Sequence, residues 1–197
     1  ENLRAEQTRR RAAGEIVGIG VCLYIEPCGQ GWESAEVTLR PDGSYLATTG
    51  ASAQGQGRET AFAQIAADAL GTSQDLVTVR QGDTADAAAG LGALASRSTA
   101  IGGSALLQAC EALRGSLAEA AAGFLQCASE TVHFRPGRIY CSATAASIGL
   151  AELARQVAER SGEEALTAST VYHAEGEAWA SGACLAAVVI DADTGQT

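Results

Sequence analysis

Hydrophobic and polar positions along this 197-residue chain alternate between two periods, and the changes of period mark its elements. Residues 16–25 are rich in Val, Ile and Tyr and read as a strand, which Pro27-Cys28-Gly29-Gln30-Gly31 breaks. Residues 35–39 alternate, Pro41-Asp42-Gly43-Ser44 turns, and residues 45–49 return, which predicts a hairpin. From Thr60, Phe62, Ile65, Ala66, Ala69 and Leu70 keep helical spacing up to a stop at Gly71. Residues 76–79 read as a short buried strand. Between residues 104 and 125, Leu106, Cys110, Leu113, Leu117, Ala121 and Phe124 fall on one face and predict a long core helix. A second hairpin is predicted over 132–142 around Pro136-Gly137. A helix over 150–160 and an apolar strand over 183–190 complete the pattern.

Hairpins alternating with helices predict an α+β fold, with antiparallel or mixed sheets carrying packed helices. The order of elements suggests two similar sub-domains sharing a cleft, divided near residue 128. Residues 1–13, with Arg9-Arg10-Arg11, read as a flexible arm ahead of a domain spanning 14–197. Asp193-Thr194-Gly195 has the composition of a turn between paired strands, yet only two residues follow it, and methionine is absent throughout. The expectation is a domain belonging to a longer polypeptide, whose excised apolar surface self-associates.

Composition narrows the chemistry. A hydrophobic content of 47% excludes general disorder. No apolar run reaches the roughly 20 residues of a membrane span, and the first residues lack a signal-peptide core, which makes the cytoplasm the default. A net charge of −10 argues against nucleic acid as partner. All 13 basic residues are arginine, so a P-loop lysine and a lysine Schiff base are excluded. Six scattered cysteines form no Cys-x-x-Cys pair, and His133 and His173 lie in unrelated segments, so no zinc or iron–sulfur site is suggested. Cys22 and Cys28 sit either side of a bend, with a reduced pair favoured.

Two glycine-framed loops concentrate what chemistry remains. Gly55, Gln56, Gly57 and Arg58 precede one predicted helix; Ser96, Arg97, Ser98 and Thr99, followed by Gly102-Gly103, precede the other. Glycine admits a ligand close to the backbone, and a helix start directs unsatisfied N–H groups at an anion. Gln56 offers an amide, and Arg58 and Arg97 offer forked donors. Each has a plainer reading: Arg97 as an anchor tying a loop to carbonyls, Arg58 as a solvated cation, Asp83 as a loop cap. His133 reads as a strand-face residue and His173 as a partly exposed loop residue. Trp32 and Trp179 read either as docking faces or as core aromatics.

The string from Ser52 to Gly71, SAQGQGRETAFAQIAADALG, resembles the molybdopterin-binding region of the xanthine dehydrogenase, aldehyde oxidase and aerobic carbon monoxide dehydrogenase large-subunit family. Val79-Arg80-Gln81-Gly82-Asp83-Thr84, Gly90-Leu91-Gly92-Ala93 and the run Ser96-Arg97-Ser98-Thr99-Ala100-Ile101-Gly102-Gly103 follow in the family's order. The resemblance implies a portion of a molybdenum hydroxylase. This class oxidises an aldehyde, an N-heterocycle or a similar substrate with water as the oxygen source, using a molybdenum–molybdopterin cofactor that bacteria often extend to the cytosine dinucleotide.

Carried over, Gly55, Gln56, Gly57 and Arg58 lie along the pterin and metal end, and Ser96, Arg97, Ser98 and Thr99 meet the phosphates or the pterin edge. The implied partners are the remainder of the large subunit and iron–sulfur and FAD subunits or domains. Many relatives have histidine at the position of Arg58. The family's upstream glycine-rich loop and downstream catalytic glutamate have no counterpart in these residues, and Glu59 does not take that role. No catalytic residue is assigned, and the chain by itself is expected to be inactive. The alternative is a non-catalytic binding module that kept the fold without the metal centre. On the family reading, Gln56→Ala or Arg97→Ala should lower cofactor occupancy more than folding stability.

Overall fold

A computed structural model describes residues 2–86, 89–162 and 166–197. It divides into two compact units: the chain up to Glu26 with Trp179–Thr197, and Pro27–Ala178. The boundary read near residue 128 falls inside the second unit, after its longest helix.

In the first unit, helix α1 (Leu3–Ala12) occupies most of the stretch read as an arm. Asn2 caps it by accepting from the Ala5 amide at 3.2 Å, and Arg9 pairs with Glu6 on its exposed face. The buried Gln7 donates to the Val17 carbonyl at 3.0 Å, which ties the helix to strand β1 (Ile16–Pro27). That strand pairs with β9 (Trp179–Ile190) in a two-stranded sheet. Leu23, Ile25 and Leu185 on this ribbon are more than half exposed, Leu23 at 81%.

The second unit holds the core. Strands β2 (Trp32–Leu39) and β3 (Tyr45–Thr49) form the predicted hairpin, with Leu39 opposite Tyr45 and the Asp42 carboxylate accepting from the Ser44 amide at 2.9 Å to close the turn. Helix α2 (Arg58–Leu70) crosses back so that β4 (Val77–Gln81) runs parallel to β3. Strand β8 (Thr167–His173) pairs antiparallel with the other edge of β2, giving the order β4-β3-β2-β8. Strand β4 is an edge strand with half-buried positions, a correction to the expected buried strand. A smaller antiparallel sheet joins β5 (Val132–Arg135), β6 (Arg138–Cys141) and β7 (Ser147–Gly149), followed by α4 (Leu150–Ser161).

Helix α3 (Gly103–Leu125) binds these parts together. Its buried stripe, Leu106, Cys110, Leu113, Leu117 and Ala121, joins Val37, Leu39 and Tyr45 of the hairpin, Phe62 and Leu70 of α2, Ile139 of β6 and Leu153 of α4 in one apolar cluster. The architecture is α+β with mixed and antiparallel sheets, as the pattern predicted. Among the described residues no helix is long and apolar enough to cross a membrane.

Candidate functional site

Both glycine-framed loops belong to the second unit, and the fold brings them into contact. The first turns at Gly55 and Gly57, with φ of 91° and 71°. A Cβ built on either meets nothing within 4 Å, so the backbone stands open to an incoming group. Gln56 between them is exposed, and its side-chain oxygen accepts from the Gln54 amide. Gly57 then opens α2 in the left-handed conformation with no side-chain cap.

The second loop leads through Ala95 and Ser96, both left-handed at φ 46° and 49°, into a π-helical turn over Ser98–Gly102 that runs on into α3. This start also lacks a side-chain cap, and the Ile101 amide donates back to the Arg97 carbonyl at 2.8 Å. Ser96 and Thr99 are exposed. Gly102 and Gly103 play a packing part: a Cβ would come within 3.2 Å of the Phe62 ring and of the Ile65 side chain respectively, so their bareness lets α3 lie close to α2.

The two arginines face inward. Arg58 is buried, with its guanidinium beside the Phe62 ring; Nη1 donates to the Ser52 carbonyl at 2.6 Å and Nη2 to the Ser98 hydroxyl. That last bond fastens one loop to the other. Burial pulls the Arg58 guanidinium below its ordinary range, against the attraction of Glu33 and Glu59. Arg97 is 2% exposed and spends all three nitrogens on the protein. Nε donates to the Gln30 carbonyl at 2.9 Å, Nη1 to the Gly92 carbonyl at 2.8 Å and to Glu33 Oε2 at 3.0 Å, and Nη2 to the Trp32 carbonyl. The anchor reading fits this geometry, and the solvated reading of Arg58 is corrected by its burial.

Asp83 accepts from the Ala85 amide at 2.8 Å, a loop cap as read. Glu59 accepts from Gln81 Nε2 at 2.6 Å, and its own amide is the foremost influence holding its carboxyl below the usual range. His133 lies on β5, stacked on Tyr140 with 5.2 Å between ring centroids. His173 is the last residue of β8, opposite Trp32, and not a loop residue. All six cysteines are free. Glu33 was not singled out from the sequence; the signal was present, because it shares the buried phase of β2 with Ala35, Val37 and Leu39, where a charge requires a partner.

The chain is 36% identical over 138 residues to the carbon monoxide dehydrogenase large chain of Hydrogenophaga pseudoflava, covering 62% of this chain and 17% of that protein. It is 29% identical over 196 residues to the 6-hydroxypseudooxynicotine dehydrogenase complex subunit gamma of Paenarthrobacter nicotinovorans, covering 96% and 25% respectively. Among solved structures, quinoline 2-oxidoreductase from Pseudomonas putida 86 superposes with a TM-score of 0.80 at 31% identity, over 98% of this chain and 27% of that one. The chain thus spans at most about a quarter of the length of these relatives. The family model for the molybdopterin cofactor-binding domain matches residues 1–197, and the chain belongs to that family.

Proposed function

We propose that this chain is a cofactor-holding portion of the large subunit of a molybdenum hydroxylase, and that its two joined loops receive the pterin and its phosphate-bearing end. The observation that carries the reading is the Arg58–Ser98 hydrogen bond. It sets two helix starts without side-chain caps beside one another, with exposed Gln56, Ser96 and Thr99 at their mouths. Backbone N–H groups at such starts suit an anion, and the open glycines suit a flat ring approaching the chain, so the donor set fits the group.

In this role Gly55, Gln56 and Gly57 lie along the pterin and metal end, and Ser96, Ser98 and Thr99 present donors to phosphate or the pterin edge. Arg58 and Arg97 hold the two loops in shape. When bound, the molybdenum–pterin group supplies the redox centre for hydroxylation with oxygen from water. This chain's own residues bind and orient it; among the described residues none is assigned as the catalytic base. The cytosine dinucleotide is the proposed form, because two adjacent helix starts suit a diphosphate. Iron–sulfur and FAD subunits or domains, with the rest of the large subunit, are the proposed partners, and the cytoplasm the proposed compartment.

The test is molybdenum and pterin content of the polypeptide from the whole reading frame, purified from a host that makes the cofactor, together with release of cytidine nucleotide. Stoichiometric molybdenum with pterin supports the reading. A folded full-length product lacking both would return the chain to the non-catalytic module.

A further inference from the structure

Strand β2 carries a carboxylate where its alternation calls for an apolar side chain. Glu33 is fully buried, on the same phase as Ala35, Val37 and Leu39. Desolvating a carboxylate and a guanidinium is expensive, and well-packed apolar side chains in their place are often at least as stabilising. Stability alone therefore does not account for the pair; what an ion pair supplies and an apolar contact does not is one fixed arrangement of the groups around it.

Those groups come from three segments besides β2 itself. A Cβ added at Gly50, past the end of β3, or at Gly90 would collide with Glu33 Oε1, and the two glycines would also collide with each other. The Gly92 amide donates to Glu33 Oε2 at 3.2 Å, and the Ser34 amide to Oε1 at 3.3 Å. Glu33 Oε2 receives Arg97 Nη1, and the same guanidinium grips Gln30, Trp32 and Gly92. Immediately before Arg97 stand Ala95 and Ser96 in the left-handed region, where non-glycine residues persist only when their surroundings over-determine them. Immediately after it, Ser98 opens the π-helical turn and takes the hydrogen bond from Arg58.

We propose that Glu33 is a positioning residue: acting through Arg97, it fixes the left-handed Ala95-Ser96 turn and so aims the donors of residues 96–99. The cofactor side of this inference rests on the function proposed above; the tether itself does not. The experiment compares the full-length wild type, Glu33→Gln and the double variant Glu33→Gln/Arg97→Gln. Three quantities are read: molybdenum per polypeptide, thermal midpoint, and hydrogen exchange over residues 89–99 in the cofactor-free protein.

In Glu33→Gln, exchange over residues 89–99 is expected to rise about tenfold or more, with α2 and the body of α3 still protected, while molybdenum content falls about tenfold. The double variant leaves no unpaired charge, so its midpoint is expected to recover towards wild type while loop exchange stays fast and molybdenum stays low. It also covers the case in which Glu33→Gln alone does not fold. Wild-type exchange and wild-type molybdenum in the double variant would overturn the proposal. So would molybdenum loss that merely tracks the midpoint, which would make Glu33 part of the general fold. If the wild type itself lacks molybdenum, the proposed function fails, and the exchange comparison still decides the tether.

Discussion

The two loops reach their shapes by opposite means. The turn of the first is made locally: glycines at Gly55 and Gly57 supply positive φ with open space around them, and only its end, at Arg58, is fastened to Ser98. The second is shaped from a distance, by a carboxylate 64 positions earlier in the chain that holds Arg97, and it keeps non-glycine residues left-handed at Ala95 and Ser96. A loop that owes its form to its own glycines can yield to a ligand without disturbing the core. A loop built on a buried ion pair is as fixed as the strand that carries the pair, and it fails with that strand.

The largest break in the comparison is expected from Arg97→Ala, which strands Glu33 as a buried, unpaired charge and costs about 3–5 kcal/mol in urea unfolding. Burial thereby changes the expectation from sequence that this substitution would act mainly on occupancy. A loss below about 1 kcal/mol would mean that the second loop is not held this way. Next, Gly90→Ala forces a Cβ against Glu33 and Gly50 and should cost about 1–3 kcal/mol, while Gly55→Ala pays only for its left-handed backbone, about 1 kcal/mol. Equal losses at the two sites would erase the distinction.

Alkaline titration should spare the comparison. Burial pushes the Cys110 thiol up to about 12 and, as the leading cause, raises the Tyr45 hydroxyl well above its ordinary range. Both groups are held in their neutral forms in the core, Cys110 on α3 and Tyr45 on β3, so their contribution is complete below about pH 9 and is lost as pH climbs towards 12, at up to about 1.4 kcal/mol per unit for each group. By pH 10 the fall in unfolding free energy should be the same in wild type and Gln56→Ala. The smallest effect on stability is expected from Gln56→Ala itself, within about 0.5 kcal/mol because the side chain is exposed, while molybdenum content of the full-length protein drops. Unchanged molybdenum would remove Gln56 from the site.

Much of the fold was legible because periodicity records burial directly. The hairpin around Asp42 and the stripe on α3 each bury one face against the core, and both appear nearly where the pattern put them. The elements that escaped have weak patterns for physical reasons. Strand β8 alternates between half-buried and exposed positions at a sheet edge, so Thr167–His173 shows no apolar face. Helix α1 rests on a cap and an ion pair within a run of arginines, where hydrophobic spacing is silent. The loops were visible as glycine and serine strings. The inward turn of Arg58 and Arg97 was not, since it depends on Ser98 and Glu33, 40 and 64 residues away.

The β1–β9 ribbon also carries a consequence in time. Its two strands lie about 150 residues apart in the sequence, and at a synthesis rate of about 5–20 residues per second the first waits roughly 8–30 s for the second. Throughout that interval the backbone N–H and C=O groups of β1 that pair with β9 lack that partner. On a nascent chain of this protein the strand edge that β9 fills therefore stays open to other pairing until β9 is made.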